Sequence, residues 1–188
     1  MKKLFITLCI LALCVSISGA GVTQDKLKVI ARKNAGVSGC VGTLGSLDET
    51  SEGAATAIIA SAFTFSGADC KVNTIKFKNG DDSGYDIKLG IYSNNTGAPQ
   101  TLLAQLTTPI ASVGNHALVS GTLDSEVTLV NGTTYWLGFI GDASVNYHWV
   151  SGGDSSLDGT HNYAASMPAT WTDDEQDTRS VAVQVSWE

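Results

Sequence analysis

The chain has 188 residues, 43% of them hydrophobic, and a formal net charge of −7 at neutral pH. That length suits one domain with a sizeable core, and the acidic balance argues against nucleic acid as a partner, because such a surface repels a polyanion. The basic residues that do cluster, Lys26, Lys28, Arg32 and Lys33, carry no interleaved aromatic rings and read as a solvated helix face.

Lys2 and Lys3 precede an uncharged run from Leu4 to Ser16 that ends in Ser18-Gly19-Ala20. This basic, apolar, small-residue order reads as a secretory signal peptide over residues 1–20. The run is shorter than the roughly 20 residues of a membrane span, and no later stretch approaches it. The expectation is a bacterial protein that is secreted, whether to the periplasm, the cell surface or the medium, with no membrane span. Without the signal, nine basic residues face eighteen acidic ones, a balance of −9.

Two cysteines remain, Cys40 and Cys70. In an oxidising compartment they allow one pairing, and closing that loop of about 30 residues is worth roughly 3 to 4 kcal/mol on a chain-entropy model. Two buried free thiols are the alternative. From Thr23 to Gly36, Leu27, Ile30 and Ala31 recur at helical spacing, so the sequence predicts a short helix. Residues 36–54 are rich in Gly, Ser and Thr without a period and read as an irregular lead-in.

From residue 55 onward the pattern changes to short β-rich runs separated by turn chemistry, the habit of an all-β sandwich. Residues 57–65 place Ile59, Phe63 and Phe65 on one side. Val72, Ile75 and Phe77 then oppose Lys76 and Lys78, and Ile87, Leu89 and Ile91 share the face opposite Asp86, Lys88 and Gly90. Gly97 and Pro99 shape a connection that returns Leu102 and Leu103 to the sheet. Asn131-Gly132 is a two-residue hairpin signal leading into "TTYWLGFI", apolar on both faces and hence a central strand. Residues 141–177 are the least regular. The chain closes on Val181, Val183, Val185 and Trp187 alternating with Ala182, Gln184 and Ser186, a half-buried strand that completes the domain.

Gly90, Ile91, Tyr92, Ser93, Gly97, Pro99, Leu102, Leu103 and Ala104, followed by Leu129, Gly132, Thr133, Tyr135, Trp136 and Leu137, form a pattern. It resembles extracellular bacterial jelly-roll β-sandwich domains of the carbohydrate-binding-like or choice-of-anchor type. The resemblance covers roughly residues 57–188. It implies a single antiparallel, jelly-roll-like sandwich over residues 55–188, and a role as glycan binder, adhesin part or surface module.

No residue pattern selects a catalyst. "GVSGC" lacks the second glycine of a nucleophile elbow, nothing singles out His116, His148 or His161 for a triad, and the acids offer many pairs without a preferred one. Two acidic turns could hold a structural Ca²⁺ through oxygen ligands: Asp81, Asp82 and Asp86, and Asp173, Asp174 and Asp177. Solvated acidic turns are the plainer alternative. Tyr147 and Trp149 share a strand face, and Tyr163 and Trp171 follow on irregular segments. Such rings can stack on sugars, with Asn146 and Asp154 as polar partners, or they can be core.

The first reading is therefore a non-catalytic module for a glycan or other surface polymer. The second is a structural subunit of an extracellular filament, matrix or particle that self-associates through residues 21–54, since sandwich edges accept added strands. A polysaccharide-active hydrolase is the third.

Overall fold

The computed structural model describes residues 44–48, 51–81, 83–158, 163, 166–171 and 175–186. Among them there are strands and no helix, so none is long and apolar enough to cross a membrane. The helix expected over residues 23–36 lies outside the described residues, as do Cys40, His161 and Trp187.

Two antiparallel sheets pack face to face as a β-sandwich. One has four strands in the order β1 (Leu44–Gly45), β12 (Val183–Ser186), β4 (Cys70–Lys78) and β8 (Leu118–Leu129). The other runs β11 (Glu175–Val181), β10 (Val145–Asp158), β3 (Ile58–Thr64), β9 (Thr134–Gly141), β5 (Ser83–Asn95) and β6 (Ala98–Gln105). Within it, β2 (Ser51–Ala55) pairs with β10, and β7 (Ile110–Val113) pairs with β5. Two strands thus come from the lead-in expected to be irregular. Their Gly- and Ser-rich sequences alternate too weakly to announce a strand, yet Leu44 is fully buried and β2 matches β10 residue for residue from Ser51 to Ala55.

The inter-sheet core follows the alternation. Val72, Ile75, Phe77, Ile87, Leu89, Ile91, Val181, Val183 and Val185 all belong to it. The odd spacing of Val72 and Ile75 is reconciled by an irregularity between Val72 and Thr74 in the pairing of β4 with β8, since one extra residue restores the face of every side chain beyond it. The strand β9 is central, pairing β3 and β5, and seven of its eight residues are buried. Phe139 at its middle touches Phe77 of the opposite sheet at 4.8 Å between ring centroids and Tyr147 at 5.2 Å.

Asn131-Gly132 does form a tight turn, with Gly132 at φ 75° and the Thr133 N–H donating to the Val130 carbonyl at 3.1 Å. It is not a hairpin, because β8 and β9 belong to different sheets. Turn chemistry sets local φ; burial of both faces of β9 decides its partners. The true hairpin loop is Thr96-Gly97 between β5 and β6, with φ of 52° and 89° at its two residues, as a primed two-residue turn requires. Tyr135 braces the arch after β8: its hydroxyl accepts from the Val130 N–H at 2.9 Å and donates to the Thr128 carbonyl at 3.2 Å. Tyr135→Phe is expected to cost about 1 kcal/mol in urea unfolding, the net worth of such bonds beside solvent.

The C-terminal alternation serves both sheets. β11 ends at Val181 and β12 starts at Val183, with buried Ala182 as the corner, its N–H donating to the His148 carbonyl at 2.9 Å. Strands that change sheet are how sandwiches make corners. The isolated bridges Asn79 to Tyr147 and Leu106 to Leu123 also join strand regions of the two sheets.

The outer face of the larger sheet is covered too. Ile58, Ala60, Tyr92, Trp136 and Ile140 form a second buried cluster with Met167 and Trp171. Tyr92 does point away from the inter-sheet core, as the alternation implies, but it is fully buried beneath Trp171. Residues 167–171 are tied down along β6: Leu102 and Trp171 N–H groups donate to the Ala169 and Gln100 carbonyls at 3.0 and 2.9 Å, and Met167 N–H to Gln105 Oε1 at 3.2 Å.

Candidate functional site

One end of the sandwich gathers ionisable side chains from four chain segments. Glu52 and His148 are directly opposite each other on β2 and β10. Asp81 follows β4, and His116 sits on the turn between β7 and β8. Among the described residues, Glu52, His116 and His148 form the one group of histidine and carboxylate atoms close enough to share a cation.

A turn of three left-handed residues presents His116. Gly114, Asn115 and His116 have φ of 64°, 61° and 54°, three consecutive residues in the left-handed region that L side chains rarely adopt. The Ala117 N–H closes the turn onto the Gly114 carbonyl at 3.0 Å, and the His116 and Asn115 N–H groups donate to the Gly80 and Asp81 carbonyls at 3.2 and 3.3 Å. Fully buried Asn79 pins it from beneath. With its amide oriented by the hydrogen-bond network, Oδ1 accepts from the N–H groups of Gly114 and Val113 at 3.1 and 3.2 Å.

His116 Nε2 lies 2.9 Å from Asp81 Oδ1, while its Nδ1 lies 2.7 Å from Glu52 Oε1. His148 Nε2 approaches the same Nδ1 at 2.9 Å and the same Oε1 at 3.5 Å. The rings meet edge to face at 5.0 Å and 66°. Burial is graded: the His148 side chain is 5% exposed, Glu52 35% and His116 47%. The cluster thus reaches from the core edge to solvent. Exposed Val113 and Leu118 flank the turn that carries His116.

Of the residues that sequence pattern singled out as ring contacts, none forms an open stacking platform with another. Tyr147 is 2% exposed and belongs to the inter-sheet core. Trp149 packs partly buried against that core, with the Arg179 guanidinium 5.5 Å from its ring. Trp171 is 6% exposed in the outer cluster, on the other side of the same sheet, and Tyr163 packs at its margin under Lys88 Nζ, 4.1 Å from the ring centroid. The Asn146 carbonyl accepts from the Gly80 N–H at 2.8 Å and the Tyr85 hydroxyl at 3.2 Å, which makes it part of the scaffold. Asp154 is exposed on the bent part of β10.

Of the acids weighed for calcium, Asp82, Asp173 and Asp174 lie outside the described residues. Asp81 serves His116, and Asp86 is exposed on β5. Asp177 is bound by the Arg179 guanidinium, which also donates to the Tyr147 hydroxyl at 3.2 Å. Burial pushes the Tyr147 hydroxyl up from its ordinary pKa, and the hydrogen bond from Arg179 holds the Asp177 carboxyl below its usual 3.8. A carboxyl lowered by folding stabilises above its unfolded pKa and loses that contribution as pH falls through the folded value. Asp177→Asn is therefore expected to cost about 1 kcal/mol near neutrality, the range for partly exposed pairs. In urea melts at stepped pH the difference should fade once both states are protonated. Cys70 is buried at the head of β4; its expected partner, Cys40, lies outside the described residues.

Sequence reasoning missed Glu52 and did not select His116 or His148. The available signal was weak: an isolated histidine following Gly-Asn in a turn, and another inside "YHWV". No protein-family profile matches the chain, and no curated protein shows a significant match to it.

Proposed function

We propose that this chain is an exported, non-catalytic β-sandwich module that binds a glycan or another surface polymer. Its contact surface would be the sandwich end formed by β2, the turn at residues 114–117 and β10. The observation that carries the reading is the His116 turn. Left-handed backbone at a non-glycine residue costs on the order of 1 kcal/mol and gathers at functional sites, and here it holds a half-exposed imidazole over a buried one. Ligand sites combine a few convergent polar groups with apolar surroundings. Glu52, Asp81 and His116 supply the first, and Val113 and Leu118 the second.

A glycan and polymer array probed with the exported chain tests this reading. Support would be a retained polymer that the soluble form of the same polymer displaces. An array without a displaceable hit, glycans and anionic or neutral wall polymers alike, removes it. The assembly reading gains less from the fold, since β1 and β2 of the N-terminal segment pair with β12 and β10 of this same chain.

A further inference from the structure

We infer that Glu52, His116 and His148 bind a borderline divalent transition-metal ion of the zinc class, with Asp81 as the positioning residue. Three observations converge on it.

The first is geometry. Zinc–nitrogen and zinc–oxygen bonds of about 2.0–2.1 Å place the donor atoms of a tetrahedral site roughly 3.3 Å apart. Glu52 Oε1, His116 Nδ1 and His148 Nε2 are separated by 2.7, 2.9 and 3.5 Å. Shifts of a few tenths of an ångström therefore bring all three onto one ion.

The second is convergence: Glu52 on β2, His148 on β10 and the left-handed turn at His116 bring donor atoms from three chain segments to one point. A hydrogen bond joins one pair of these atoms, whereas a metal ion engages all three at once. The third is Asp81 itself: a carboxylate on the far nitrogen of a ligating histidine is the usual support of such sites, fixing the tautomer and the ring.

Ligand type narrows the ion. Two imidazoles with one carboxylate suit Zn²⁺, Cu²⁺ or Ni²⁺, whereas Ca²⁺ requires six to eight oxygens. Three protein ligands leave a fourth tetrahedral position for a water or for an oxygen of a bound polymer, and His116 and Glu52 are both accessible to solvent. The inference does not rest on the polymer reading, since metal binding is measured without polymer.

The test is titration of the metal-stripped exported chain with Zn²⁺ against a chelating dye, repeated with Ca²⁺ and Mg²⁺, and with Co²⁺ to read coordination from its visible spectrum. One Zn²⁺ per chain and tetrahedral Co²⁺ bands are expected, with no competition from millimolar-range Ca²⁺. His116→Asn suits the backbone, since asparagine tolerates the left-handed region, and it should weaken Zn²⁺ by about 100-fold or more. Glu52→Gln, at a half-exposed strand position, provides a second lesion of the ligand set. Asp81→Asn should cost about 10- to 100-fold and leave the Co²⁺ spectrum tetrahedral, a signature that loss of a ligand would not give. Zn²⁺ bound by His116→Asn or Glu52→Gln as tightly as by the unaltered chain overturns the inference. So does a site that Ca²⁺ fills equally well.

Discussion

Trp171→Ala is expected to lower the unfolding free energy by about 3–5 kcal/mol, the range for removing a buried tryptophan side chain. The ring is 6% exposed and stands edge-on to Tyr92 with centroids 5.1 Å apart and planes at 82°. Its backbone is bonded to β6, so the cavity cannot easily collapse by withdrawal of the segment. Tyr92 and Trp136, both buried in the same cluster, would face water on one side. Denaturant melts give the cost, and a polymer-binding measurement on the folded fraction gives the contrast. A tryptophan that stacks on a sugar loses affinity with little stability when truncated; Trp171 is expected to do the reverse.

Phe139→Ala is expected to cost a similar 3–5 kcal/mol, for a different reason. Phe139 is fully buried in β9 and joins the sheets through Phe77 on β4, while also contacting Tyr147 on β10. Aromatic pairs of this kind contribute about 0.5–1.5 kcal/mol beyond the area they bury. Tyr147 immediately precedes His148 and forms the bridge to Asn79, which fixes the His116 turn. Besides the loss of stability in denaturant, hydrogen exchange should quicken at the N–H groups of Val113 and Gly114, which donate to Asn79.

How far the sequence could be read follows from what each signal encodes. Period-two burial is local and strong, so Ile87, Leu89 and Ile91, or Val181, Val183 and Val185, declare their face without knowledge of any partner. Partner choice is not local. Nothing in Asn131-Gly132 says that the following strand joins the other sheet, and nothing in the terminal alternation says that Ala182 turns a corner. The two sides of the larger sheet are both apolar, so Tyr92, Trp136 and Trp171 carry the same pattern whether they meet a second sheet, a covering segment or a ligand. That ambiguity is why aromatic content alone pointed to residues 146–177 as a binding surface, where the structure buries Tyr147 and Trp171.

The His116 cluster is hidden for the same reason. Its members are separated by 64 and 32 positions along the chain and come together only through the pairing of β2 with β10 and the docking of one turn onto Asn79. No short motif could report them.

The measurement that tests the proposed binding surface most directly is the isotherm of the retained polymer on the unaltered chain beside His116→Asn, with unfolding midpoints recorded on the same samples. The expected result is at least a tenfold weaker affinity, a loss of about 1.4 kcal/mol, with both proteins folded at the temperature of the measurement. An identical isotherm for both proteins would contradict the assignment of this end of the sandwich as the binding surface.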